Sequence, residues 1–153
     1  MSGVAVDVNT LREQIVEASA AARVLRTLKA ATKNAALHHM ADALVRRTDE
    51  IMRENALDVA DAKAAHRPGA MVDRLLLDED RILAMARGVR DVAALADPIG
   101  AIESGYRLPN GLEVVRKRVP LGVVAVIYEG RPNVTSDAAA LCLKSGNAVV
   151  RRG

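Results

Sequence analysis

The run EGRPNV over 129–134 carries two side chains suited to an anionic substrate or to charge developing on a reacting carbonyl. Arg131 offers a planar guanidinium fork that matches a carboxylate or phosphate. Asn133 offers an amide donor close to a helix start. The same Asn133 can instead serve only as the helix N-cap, and Thr135 or Ser136 can cap equally well, so the pattern leaves both uses open. Further on, Arg151 and Arg152 follow a short apolar run. Either one of them turns into a site or both are charges at an exposed strand end, and side-chain alternation leaves that choice open.

Other reactive residue types fall away. Cys142, in AALCLKSGN, stands mid-helix among Ala and Leu with no basic group at helical spacing to stabilise a thiolate, which makes it a small buried hydrophobe. His38 and His39 are adjacent and diverge on a helix, and His66 sits at a helix end, so no metal site is expected. Asp58, Asp61 and Asp73 look like solvated helix faces without chemistry. No G-x-G-x-x-G or Walker pattern is present to cradle a pyrophosphate.

The elements that must position the loop read in two halves. Residues 10–96 are helical in pattern, opening with Thr10 and Glu13 as a capping box and a stripe of Leu11, Ile15, Ala18, Ala22 and Leu25. A second helix is predicted after Thr32, with Leu37, Met40, Ala41, Leu44 and Val45 inward. A third follows Thr48, with Asp49 and Glu50 at the positive end of its dipole, and Arg67, Pro68 and Gly69 end it. A short segment over 71–77 leads to Asp78 as an N-cap, and Ile82, Met85, Val89 and Val92 form the next stripe until Asp97 and Pro98.

From Ile99 the period becomes that of strands. Pro109, Asn110 and Gly111 join extended runs over 101–108 and 112–119 into a hairpin. Its second run, LEVVRKRV, has no cleanly apolar face, so the ribbon is expected to be partly exposed or covered by another chain. VVAVIY then suits a strand buried on both faces of a parallel sheet, followed by the polar loop, a helix over 134–145 with Gly146 at its C-terminal end, and a strand AVV. Strand, helix and strand make a βαβ unit whose loop lies where open α/β sheets bind ligands. Two parallel strands leave a sheet unsatisfied, so the fold class is α/β with its last domain expected to continue beyond Gly153.

Composition narrows the classes. The chain has 153 residues, half of them hydrophobic and 27% charged, which excludes disorder. With one Cys there is no internal disulfide, and the N-terminus lacks a signal pattern, so a cytoplasmic address is expected. No run approaches a membrane span. Trp and Phe are absent and Tyr is present twice, so stacking on bases is excluded. The net charge of +3 is spread along helices with alternating sign, which is no nucleic-acid footprint.

The stretch RVPLGVVAVIYEGRPNVTSDAAALCLKSGNAVVRRG, with NALDVADAKAA, MVDRLLLDEDRI and VRDVAALADPIG upstream, resembles the gamma-glutamyl phosphate reductase family, the glutamate-5-semialdehyde dehydrogenases of the aldehyde dehydrogenase superfamily. The resemblance implies an N-terminal helical region over 1–98, a hairpin oligomerisation arm over 99–120 and the start of a dinucleotide-binding domain over 121–153. It implies NADPH-dependent reduction of L-glutamyl 5-phosphate to L-glutamate 5-semialdehyde and phosphate in proline biosynthesis, by a homo-oligomer joined through the hairpin. On that resemblance Asn133 is the oxyanion donor, Tyr128, Glu129 and Arg152 contact the cofactor, and Arg131 meets the anionic substrate. The family's catalytic cysteine has no counterpart here, since Cys142 lies in the crossover helix, so the chain alone is expected to be inactive. The competing expectation is a non-catalytic helical interaction module or the remnant of a truncated reductase.

Overall fold

A computed structural model describes residues 8–152. Five helices come first: α1 (Val8–Leu25), α2 (Ala30–Arg46), α3 (Thr48–Ala64), α4 (Gly69–Leu75) and α5 (Glu79–Ala94). Then follow β1 (Ile102–Arg107), β2 (Glu113–Lys117), β3 (Val123–Ile127), α6 (Pro132–Lys144) and β4 (Ala148–Arg152). The expected α/β order of helices, hairpin and βαβ unit is present.

The core forms where α2, α5 and α6 meet. Leu37 and Ala41 of α2 pack against Ala86, Val89 and Ala93 of α5 and Ala140 of α6, with Met40, Leu44, Val92 and Leu143 around them. Alanine at four of those six positions lets the helix axes approach closely, while each buried Leu or Val contributes about 1.5–3 kcal/mol. The α5 stripe is realised as Ile82, Met85, Ala86, Val89 and Ala93, and Asp78 caps that helix by accepting the Arg81 N–H at 2.7 Å. Asn55, buried on α3, donates to the Leu75 carbonyl at 2.9 Å and accepts the Leu77 N–H at 2.7 Å, which fixes the path between α4 and α5.

Several boundaries and faces differ from the sequence expectation. Helix α1 includes Val8 and Asn9, so Thr10 is not its N-cap, and α2 begins at Ala30. Among the described side chains of α1 only Ala22 is buried; Leu11 and Ile15 are exposed. Val45 also faces outward, because the stripe through Lys33, Leu37, Ala41 and Leu44 turns it away from α5. Residues 71–77 hold most of α4, which starts at Gly69 after Pro68.

Strands β1 and β2 pair antiparallel, and their turn is closed by Leu108 N–H to the Leu112 carbonyl and Gly111 N–H to the Leu108 carbonyl, each 2.8 Å. Every residue of β1 is exposed, and in β2 only Val114 is half-buried. Strands β3 and β4 pair in parallel with α6 as the crossover. The expectation that VVAVIY is buried on both faces fails here: Val124 and Val126 are half-buried, whereas Ile127 is 84% exposed, because helices cover one side of a two-stranded sheet.

Helix α6 ends as its sequence predicts. Gly146 takes φ +70°, the Asn147 N–H donates to the Cys142 carbonyl at 2.8 Å and the Gly146 N–H to the Leu143 carbonyl at 3.1 Å, the paired bonds of a left-handed helix stop. A Cβ there would stand 3.0 Å from Pro120 Cγ, so close approach and backbone sign both require glycine.

Candidate functional site

The loop after β3 is set by backbone. Tyr128 extends the ladder by donating its N–H to the Arg152 carbonyl at 3.0 Å, and Gly130 reverses the chain at φ +59°. Pro132 then opens α6, where its missing N–H costs nothing. This start is two residues earlier than the pattern over 134–145 suggests, and it decides the Asn133 ambiguity against capping. Asn133 is the second residue of the helix, and Arg131 occupies the cap position with no side-chain cap hydrogen bond. Asn133 instead donates its Nδ2 to Asp137 Oδ2 at 3.1 Å, and its side chain is exposed. Neither Thr135 nor Ser136 caps: Ser136 Oγ donates to the Asn133 carbonyl at 2.8 Å, and Thr135 shares a hydrogen bond with the Tyr128 hydroxyl that ties β3 to α6.

A cavity of about 510 Å³ opens between this helix start and the junction of α4 with α5. Arg131, Asn133 and Asp137 line it from α6, and Leu77 and Met85 line it from the other side. Arg81 is also in its wall but is committed, donating to the Leu76 carbonyl at 2.8 Å and pairing with Asp73 at 2.9 Å. Asp73 therefore has a structural partner that its reading as a bare solvated face did not foresee. Among the described residues Arg131 makes no ion pair.

Arg151 and Arg152 are both exposed at the end of β4. Register pairs Arg151 with Val126 and Arg152 with Ile127, so the two guanidinium groups leave opposite faces of the sheet. Arg151 lines a groove with Gln14 and Glu17 of α1, while Arg152 lies on the uncovered face with Ile127. Glu129 is exposed. Cys142 is 8% exposed and burial pushes its thiol up, which agrees with an inert core role. His38, His39 and His66 stay on the surface, and no three His, Cys, Asp or Glu come together among the described residues.

The most buried charges were not singled out by the sequence reading. Lys33 is 1% exposed; its Nζ pairs with Asp97 at 2.6 Å and donates to the Lys144 carbonyl at 3.1 Å. Lys144, 3% exposed, donates to Asn34 Oδ1 at 2.6 Å and to the Ala93 carbonyl at 2.8 Å. Burial works to raise the Asp97 carboxyl, but the Lys33 hydrogen bond, the Ile99 N–H and the charges of Lys33 and Lys144 together hold it below the ordinary carboxylate range. The signal was present: Lys33 stands four residues before Leu37 and Lys144 four after Ala140, both on apolar stripes. This knot locks α2 and α5 to α6 and so holds the βαβ unit against the helices.

No protein-family model matches the chain. Individual proteins do. Over 137 residues, 90% of this chain, it is 53% identical to a gamma-glutamyl phosphate reductase of Thermoanaerobacter sp. strain X514. This chain is a homologue of one third of gamma-glutamyl phosphate reductase. The overlap is 33% of that relative, so the chain spans about a third of the length of the curated relatives it matches. Crystal structures agree in fold. The gamma-glutamyl phosphate reductase of Thermotoga maritima superposes with a TM-score of 0.90 at 38% identity, covering 94% of this chain and 34% of its own. That of Saccharomyces cerevisiae gives 0.85 at 34% identity, covering 89% and 35%. Among the described residues no helix is long and apolar enough to cross a membrane.

Proposed function

We propose that this chain supplies the oxyanion donor and part of the cofactor and substrate contacts of an NADPH-dependent gamma-glutamyl phosphate reductase. The reaction is reduction of L-glutamyl 5-phosphate to L-glutamate 5-semialdehyde and phosphate, on the route to proline. The observation that carries this reading is the Asn133 amide: exposed in the first turn of α6, at the carboxyl end of a parallel strand, steadied by Asp137 and beside the unpaired Arg131. Homology over 90% of the chain favours it over an unrelated interaction module.

In this reading Asn133 donates to the substrate carbonyl oxygen as negative charge develops there, and it is held in place beforehand so that little reorganisation is needed. Arg131 draws the anionic substrate to the loop. NADPH supplies hydride when bound. Tyr128, Glu129 and Arg152 hold it, and the residues present suit that task, because Arg152 stands free beside the bare apolar surface of Ile127 at the strand ends. The nucleophile comes from the part of the relatives that this chain does not span, since the Cys142 thiol is buried and its ionisation is disfavoured. The regions expected over 1–98, 99–120 and 121–153 then act as the helical region, described from residue 8, an arm that pairs with another subunit, and the opening of the cofactor domain, described to residue 152. Exposure of the whole of β1 supports the arm. A cytoplasmic enzyme without nucleic-acid partners fits the same reading.

The test is a chimaera in which this chain replaces the matching third of the Thermoanaerobacter relative. The 153-residue chain alone should show no NADP-dependent oxidation of glutamate semialdehyde with phosphate, and the chimaera should show it. Asn133→Ala in the chimaera should lower kcat roughly a hundredfold with little change in cofactor affinity. Unchanged kcat would return Asn133 to a structural part.

A further inference from the structure

We propose that the cavity between the α4–α5 junction and α6 reads the free amino-acid end of the substrate, with Asp137 accepting the α-ammonium and Arg131 the α-carboxylate. This deepens the functional reading above and rests on it, since it takes the Asn133 amide as the group that meets the reacting carbonyl.

Asp137 has one carboxylate oxygen in use, accepting from Asn133 at 3.1 Å. The other faces α5 at Gly88, where a Cβ would stand 4.0 Å from Oδ1, so no side chain at that position covers it. Asp137 makes no ion pair among the described residues although it is half-buried in the cavity wall. A carboxylate so placed is short of a cation. Arg131, in the same wall, is a cation short of an anion, whereas Arg81 is already consumed by Asp73 and the Leu76 carbonyl. With Arg74, which lines the cavity from α4 and makes no ion pair among the described residues, the cavity offers one carboxylate and two guanidinium groups without ion-pair partners.

The spacing fits one ligand class. Asn133 and Asp137 are four residues apart on α6, about 6 Å of rise. In a glutamyl group the nitrogen lies four bonds of about 1.5 Å from the reacting C5. A chain laid along the first turn of α6 brings its carbonyl to Asn133 and its ammonium to Asp137. The carboxylate, on the same carbon as the ammonium, then lies in the cavity that Arg131 also lines. An acyl compound of equal length without either charge leaves one of these side chains unpaired, and a site built for a polar group rejects the analogue that lacks it.

In the chimaera, kcat/KM is measured for oxidation of three aldehydes with phosphate and NADP: L-glutamate 5-semialdehyde, 5-oxopentanoate, which lacks the ammonium, and 4-aminobutanal, which lacks the carboxylate. Asp137→Asn should lower the preference for glutamate semialdehyde over 5-oxopentanoate about tenfold or more, and Arg131→Gln should do the same for the preference over 4-aminobutanal. If either variant scales all three aldehydes by one factor, or leaves the preferences unchanged, the proposal is overturned. An unsubstituted chimaera inactive on all three overturns the functional reading instead. A titration without turnover then judges the cavity by itself: the 153-residue chain is followed at the backbone amides of Gly88, Asn133 and Asp137 as L-glutamine, glutaramate or 4-aminobutanamide is added. L-glutamine binding about tenfold more tightly than either analogue supports the proposal. Equal affinities, or no shift at those amides, overturn it.

Discussion

The two halves of this molecule treat charge and oil in opposite ways. At the α2, α5 and α6 junction two lysines are almost fully buried, each with its donors matched to a carboxylate or a carbonyl. In the strand half Ile127 and Leu121 are 84% and 86% exposed, and every residue of β1 is exposed. Hydrophobicity alone predicts the reverse. Burial follows instead from which elements have partners: helices that close on one another can afford a satisfied polar knot, whereas a two-stranded sheet leaves good apolar side chains in water.

The sharpest way to break this contrast is to remove the one carboxylate in the knot. Asp97→Ala leaves Lys33 buried without its counter-charge and should cost about 3–5 kcal/mol, read from urea unfolding of the chain. Lys33→Met, which removes the buried charge as well, should cost clearly less; equal losses would show that the pair adds nothing beyond packing. The same carboxyl sets a pH dependence. Because its folded-state titration lies below the ordinary range, its stabilisation is intact at neutral pH and is lost as pH falls through the folded value, below about pH 4. Melting temperatures in the acid limb should therefore fall more gently in Asp97→Ala than in the unsubstituted chain.

A smaller effect separates the two arginines at the strand end. Contact with a 2′-phosphate contributes about 1.5–3 kcal/mol, so Arg152→Ala in the chimaera should raise KM for NADPH roughly ten- to a hundredfold and KM for NADH far less. Arg151→Ala should leave that preference alone, since it lies on the opposite face. If the two variants exchange behaviour, the cofactor lies on the helix-covered side. Smallest of all is Ile127→Ser, which should move the stability of this chain by no more than about 0.5 kcal/mol, because the side chain is already in water. A loss near that of a core isoleucine would mean that something covers this face in solution.

What was legible in the sequence was whatever depends on neighbours in the chain. The Asp78 cap, the Asn110–Gly111 turn, the parallel βαβ unit and the Gly146 stop are local rules, and each is found. The family resemblance, carried by long contiguous motifs, was legible for the same reason. The helix start at Pro132 was missed because a polar run offers several capping residues and the proline decides among them. Asp137 gave no local signal, being one of 19 acidic residues, and only the helix start at Pro132 places it one turn from Asn133. Lys33, Asp97 and Lys144 are far apart in sequence, and only the packing of three helices makes their charges neutralise one another.

Gly146 also works as a fulcrum. The Cβ that it lacks would press on Pro120, and Pro120 is where the hairpin ribbon joins the sheet. The ribbon stays paired up to that point, with a register shift between Ile102 and Ser104: Arg118 donates its N–H to the Ala101 carbonyl at 2.9 Å and Gly100 its N–H to the Arg118 carbonyl at 3.0 Å. At about 3.3 Å per residue, Asn110 stands up to roughly 30 Å beyond Pro120. A methyl group at Gly146 would thus press on the base of the ribbon.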